Sequence, residues 1–154
     1  MKRLWAPWRI QYVQKKQKGC LFCRVKKSKR DSKNYIVKRS KYSFSILNIY
    51  PYNNGHIMIV PFRHVKDLEA LRKEELLDML ELVKETKKDV SALLKPHGFN
   101  IGINIGKIAG AGFAHHIHVH LVPRWKGDAN FMPIIADTKV ISQSLEELYT
   151  RLKT

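Results

Sequence analysis

His115–Trp125 reads His-His-Ile-His-Val-His-Leu-Val-Pro-Arg-Trp. His116, His118 and His120 fall on every second residue and alternate with Ile117, Val119 and Leu121. A strand rises ~3.3 Å per residue and points successive side chains to opposite faces, so the spacing predicts a strand over about 116–122 with three imidazoles in a row about 7 Å apart. The aliphatic residues between them then face a core. Imidazole is a nucleophile, a general base and a metal ligand near neutral pH. Two chemistries fit such a row: a metal site and a phosphate-handling site. Ligands of one metal must converge to within about 4 Å, which is harder for residues i and i+4 than for neighbours. An extended phosphate chain suits a row better.

Working outward, Gly102–Gly112 (GINIGKIAGAG) is a glycine-rich loop feeding this strand. It is not a P-loop, because Gly102 and Gly106 are too close and Ile108, not Ser or Thr, follows Lys107. Its backbone N–H groups and Lys107 can still meet an anion. Before it, Phe99–Gly106 alternates as a strand, with Ile101, Ile103 and Ile105 on one face. Residues 73–95 carry Leu76, Leu77, Leu80, Val83, Val90 and Leu94 at helical spacing, ended by Pro96 and Gly98. Strands over 42–49 and 56–62 flank Pro51-Tyr52-Asn53-Asn54-Gly55, a turn signal that predicts an antiparallel hairpin with His56 opening its second strand. Asn48, Asn100 and Asn104 offer neutral hydrogen bonds to ribose or phosphate. Residues 144–153 form a short final helix with Ser144 as N-cap. The order lacks βαβα alternation. It predicts an α+β fold: an antiparallel sheet of about five strands, one long helix on one face and a short C-terminal helix.

The chain has 154 residues, 44% of them hydrophobic, which is one domain with a real core. Residues 1–41 read as a basic arm and 42–154 as the domain proper. No apolar stretch approaches the ~20 residues of a membrane span. The basic N-terminus lacks an apolar h-region, so no signal peptide is expected and the cytoplasm is the expected location. Net charge is +16, from 29 Lys and Arg against 13 Asp and Glu. That attracts polyanions, whether nucleic acid, an acidic membrane surface or phosphorylated ligands, or it makes a solvated surface. The two cysteines are spaced Cys20-x2-Cys23, a metal knuckle or a redox pair. Trp5, Trp8 and Trp125 are expected to anchor the arm rather than to stack on bases.

His116-Ile117-His118-Val119-His120-Leu121-Val122 resembles the His-φ-His-φ-His-φ-φ signature of the histidine triad superfamily. LWAPWR, LNIYPYNNGHIMIVPFRHV, PHGFNIGINIG and HVHLVPRWKGDANF extend the likeness along nearly the whole chain, towards the branch of bacterial diadenosine tetraphosphate phosphorylases and Fhit-like dinucleoside polyphosphate hydrolases. The resemblance implies that His118 attacks an α-phosphorus and forms a nucleotidyl-histidine, passed on to water or phosphate. It implies that His116 and His120 orient the reaction, that His56 contacts phosphate, that Asn48 lies near the ribose and that Asn104 approaches the phosphates. Lys107 and Gly112 are expected beside the substrate. Many relatives carry Ser or Gln where this chain has Gly112, so a phosphate donor is missing there. The resemblance also implies a zinc site of Cys20, Cys23, His64 (in Pro61-Phe62-Arg63-His64) and His116. With four protein ligands the zinc is structural. A homodimer with one continuous sheet is implied as well. Competing expectations are a nucleotide- or nucleic-acid-binding protein with weak catalysis, a metalloenzyme ligating through all three triad histidines, and a nucleoside phosphoramidate hydrolase.

Overall fold

The computed structural model describes residues 19–128 and 141–154. Trp5 and Trp8 therefore lie outside the described residues. Within them run α1 (Leu21–Lys27), α2 (Asp31–Asn34), β1 (Ile36–Arg39), β2 (Ser43–Leu47), β3 (Ile57–Pro61), a 3-10 turn (Leu68–Ala70), α3 (Lys73–Leu94), β4 (Gly98–Ile103), β5 (Val119–Arg124) and α4 (Leu145–Lys153). The strands form one five-stranded sheet in the order β1-β2-β3-β5-β4, with every pair antiparallel. The predicted α+β architecture is the observed one.

The alternation of the strands builds two cores. Leu47, Ile57, Ile59, Ile117, Val119 and Leu121 face α3 and α4 and meet Met79, Leu82, Val83, Val90 and Leu148. Phe44, Ile46, Met58 and Val60 face the other way and are covered by Phe22 and Val25 of α1. His120 sits opposite Met58 in the register, so the histidines share the α1 face.

Three sequence expectations change here. Residues 14–34 read as an irregular arm before a core starting near Tyr42, yet α1 seals one face of the sheet and β1 is its edge. Lysines and arginines dilute the apolar signal there, but Phe22 and Val25 are one helical turn apart and fully burying each is worth roughly 1.5–3 kcal/mol. The inward face of α3 is also different. Leu76, Leu77 and Leu80 are 36%, 63% and 59% exposed, while Glu75, Met79, Leu82, Val83, Thr86 and Val90 are buried. Glu75 can point inward because the Arg63 guanidinium and the Arg72 backbone N–H both donate to its carboxylate. Helical spacing fits both stripes, so periodicity alone could not choose between them. Finally, β5 begins at Val119, leaving His116 and His118 on the segment that leads into it.

The β2–β3 turn closes on Gly55, which needs glycine for two reasons. Its φ is +73°, and a Cβ would lie 2.7 Å from Leu94 Cδ1 and 3.0 Å from the stiffer Pro123 Cγ. Gly55→Ala is expected to destabilise the fold by about 3 kcal/mol, read as a lower urea midpoint. An unchanged midpoint would show that the turn yields without cost.

Candidate active site and metal centre

The metal-ligating group is assembled by the two-sided packing of the sheet. Cys20 caps α1, Cys23 lies in its first turn, His64 follows β3 and His116 precedes β5. Between the cysteines, Phe22 is fully buried and fixes α1 on the sheet. Cys20 Sγ lies 3.2 Å and Cys23 Sγ 3.8 Å from His116 Nδ1, and Cys23 Sγ lies 3.3 Å from His64 Nδ1. All four ligand atoms fall within 4.8 Å of one another. His116 Nε2 donates to the Pro61 carbonyl at 2.9 Å, which leaves Nδ1 as a bare lone pair facing the thiols. Burial, and then the neighbouring Cys20, push the Cys23 thiol up, while Lys26 and Lys27 pull it down. Two sulfurs and two imidazole nitrogens at these separations suit a tetrahedral metal, with Zn–S of ~2.3 Å and Zn–N of ~2.0–2.1 Å. These residues fit zinc, and four protein donors leave no open position, so its role is structural.

The same contacts set His116 apart from the other two triad members. Both its ring nitrogens are engaged, which leaves none for a phosphate. Nor do the three triad histidines converge on one point. Among the described residues the Cys–Cys–His–His quartet is the group of three or more side chains able to hold a metal. A catalytic metal on all three triad histidines does not match this arrangement.

His118 is 3% exposed, and its Nδ1 donates to the His116 carbonyl at 2.9 Å. That bond fixes the proton on Nδ1 and bares Nε2. Burial lowers the pKa of the ring, so it is neutral at physiological pH. Its face packs on Phe22, with ring centroids 5.2 Å apart. The His118 and His120 rings meet edge to face at 4.7 Å, closer than the 7 Å expected of a flat row.

The tautomers of His56 and His120 follow from one backbone bond. Tyr52 N–H donates to His56 Nδ1 at 3.0 Å, and the Asn48 amide lies 3.3 Å from the same atom. His56 therefore carries its proton on Nε2 and donates it to His120 Nδ1 at 2.8 Å. His120 is left protonated on Nε2, which is buried and has no partner among the described residues. A buried donor without a partner costs ~1–3 kcal/mol. A phosphate oxygen would satisfy it.

Burial, reinforced by the neighbouring imidazoles, depresses His56 to about 3 and His120 to about 4. Above the free-histidine value of ~6.5 both states are neutral, and stability is at its greatest. As pH falls from there towards 4 and 3, the unfolded chain takes up protons that the folded chain refuses, so stability is lost. Urea midpoints at pH 7.5, 6 and 5 are expected to fall in that order. Equal midpoints would contradict neutral buried rings.

Other expected residues are placed less directly. Asn48 Oδ1 accepts from the Tyr50 N–H, so its amide braces the turn as well as His56. Asn100 accepts from Arg124. The Asn104 amide lies against the Gly110 turn, Lys107 is exposed in the loop, and a Cβ on Gly112 would meet nothing within 4 Å. Sequence reasoning missed Tyr52 and Phe22 as site residues. Phe22 is legible only as one of the two residues enclosed by the cysteines, and Tyr52 as a turn residue.

A five-stranded antiparallel sheet with a neutral His118, a tautomer-locked His56–His120 pair and a thiol–imidazole quartet defines a histidine triad protein. The HIT domain family model matches residues 29–127, and the chain belongs to the HIT domain family. It is 37% identical to the AP-4-A phosphorylase of Mycobacterium tuberculosis, over 100% of this chain and 84% of that one. It is 30% identical to an adenosine 5'-monophosphoramidase of Schizosaccharomyces pombe, over 69% of this chain and 74% of that one. Its fold matches a Zn-bound histidine triad family protein from Mycobacterium smegmatis with a TM-score of 0.69 and 26% identity, covering 88% of this chain and 91% of that one.

Proposed function

We propose that the protein is a nucleotidyl transferase that cleaves dinucleoside polyphosphates such as diadenosine tetraphosphate through a nucleotidyl-histidine on His118. The observation that carries this reading is the bare, neutral His118 Nε2 beside the unpartnered His120 Nε2–H. The full-length likeness to an AP-4-A phosphorylase supports the substrate class and favours phosphate over water as acceptor.

In the first step the His118 Nε2 lone pair attacks the α-phosphorus. A P–N bond forms and the P–O bond to the departing polyphosphate breaks. The ring becomes cationic, and its Nδ1–H on the His116 carbonyl stabilises that charge. His120 Nε2–H donates to an oxygen that gains charge as the bond breaks, and the His56 bond to His120 Nδ1 keeps that proton on Nε2. In the second step phosphate or water displaces His118, the P–N bond breaks, and the free ring returns. His116 is a positioning residue: its carbonyl orients His118 and its ring ties the segment to the quartet. Bound zinc would fix Cys20, Cys23, His64 and His116 and hold α1 in place. In this reading Asn104, Lys107 and Gly112 are the loop residues beside the phosphates.

A homodimer completes the reading. β4 is an edge strand with Ile101 49% exposed, and Ile105 just beyond it is 41% exposed. Pairing with a second copy would cover that edge. Among the described residues no helix is long and apolar enough to cross a membrane, and the proposed location is the cytoplasm.

The test is product analysis by phosphorus NMR on diadenosine tetraphosphate, with and without added phosphate. ADP plus ATP formed only with phosphate is the expected result. AMP plus ATP without phosphate would make it a hydrolase. No turnover of this substrate or of adenosine 5'-phosphoramidate would replace the enzyme by a polyanion-binding module.

A further inference from the structure

Beyond His120 the histidine face of the sheet runs into a cavity of about 290 Å³ lined by Tyr52, Asn53, Asn100, Val122 and Arg124. Val122 lies two residues past His120 on the same face, opposite Asn100 in the register. Val122 and Asn53 are buried and form the floor. The Tyr52 ring is one wall, 4.6 Å from the His56 ring and 5.5 Å from the His120 ring between centroids.

Arg124 forms the other wall, held rigidly in place. Its Nε and Nη2 donate to the Asp128 carboxylate at 2.6 and 2.9 Å, and Nη1 donates to Asn100 Oδ1 at 2.7 Å. The Asn53 amide donates to the same carboxylate at 2.7 Å. Three bonds fix the plane of the guanidinium, and Asp128 offsets its charge. What such a group offers is its flat face, which stacks on planar rings. An aromatic wall, a planar cationic wall and a floor of Val122 and the Asn53 amide, whose N–H is committed to Asp128, suit a nucleobase, and suit a bare phosphate poorly.

The position of the cavity says which nucleobase. At ~3.3 Å per residue, Val122 lies about 13 Å along the chain from His118. It lies on the side of His120, whose proton meets the departing oxygen. The group reaching this cavity therefore belongs to the half that leaves, at the far end of a polyphosphate. We propose that the cavity binds the nucleobase of the leaving nucleotide and so selects dinucleoside polyphosphates over substrates with a small leaving group. This rests on the reading of His118 as nucleophile and deepens it.

The test compares kcat/KM for diadenosine tetraphosphate and for adenosine 5'-phosphoramidate, which lacks a second base. Val122→Phe fills the cavity, and Arg124→Leu removes the planar cationic wall at a side chain 46% exposed that touches none of the catalytic histidines. Stacking on a base is worth enough that the ratio of the two kcat/KM values is expected to fall about tenfold in each variant, mainly through KM of the dinucleotide. If Val122→Phe does not fold, Arg124→Leu alone decides. Parallel losses on both substrates, or none on either, would overturn the inference and leave the His118 reading standing. A wild-type protein that cleaves neither substrate would overturn both.

Discussion

His118→Asn is expected to lower kcat by about 10⁴-fold or more, with the fold intact. The size follows from the role. Removing a nucleophile abolishes the covalent route, and what survives comes from binding and charge stabilisation. Stability should change little, because the His118 side chain's hydrogen bond is to the carbonyl of its own near neighbour His116. Asparagine keeps a polar group in the buried site and cannot form the adduct. The decisive measurement is the intact mass of enzyme mixed with substrate and quenched at alkaline pH, where a P–N bond to histidine survives. Wild type should gain one nucleotidyl mass and His118→Asn none. His120→Asn is expected to cost less, about 10²–10³-fold, because a neutral hydrogen-bond donor stabilises the departing oxygen without forming the bond. A nucleotidyl adduct on the His118→Asn protein would remove His118 from the mechanism.

That gradation could not be read from the sequence, and the reason is directional. Strand periodicity fixes which face a side chain takes, and the triad was legible for that reason: Ile117, Val119 and Leu121 are buried against the helices, as the alternation requires. Periodicity does not fix which ring atom points where. The proton positions on His116, His118 and His120 are set by the Pro61 carbonyl, the His116 carbonyl and a relay from Tyr52 N–H through His56. Three of those four are backbone groups, and backbone hydrogen bonds leave little trace in residue identity. The same limit explains α3, where Leu77 and Leu80 sit at helical spacing yet face outward. The helix carries two apolar stripes, and only the neighbouring sheet decides which is covered. Chemistry tied to residue type was easier to see. The Cys20–Cys23 pair, His64 and His116 are far apart in the chain, but family likeness named all four residues and the structure brings their donor atoms together.

The second large effect is expected from that quartet. Zinc analysis of the purified protein should give one ion per chain, and Cys20→Ser with Cys23→Ser should give none. A metal that binds only the folded chain stabilises it by about 4 kcal/mol when its concentration is about a thousand times Kd. Losing that term should lower Tm by roughly 10 °C or more for a chain of this size. The change is not confined to stability, because Phe22 lies between the two cysteines and its ring rests on both His116 and His118. Freed of its cysteine ties, α1 is held to the sheet by the packing of Leu21, Phe22 and Val25 and by a few polar contacts. The buried environment that keeps His118 neutral then opens to water, and the His118 pKa should rise towards its ordinary value. The double variant is therefore expected to lose activity more steeply at mildly acid pH than near pH 8, a dependence that a uniform loss of folded protein would not give. Adding a chelator to wild type should reproduce both the fall in Tm and the altered pH profile, and restoring zinc should reverse them. A double variant with wild-type Tm and wild-type pH profile would reduce the cysteines to packing residues and detach the metal centre from the active site.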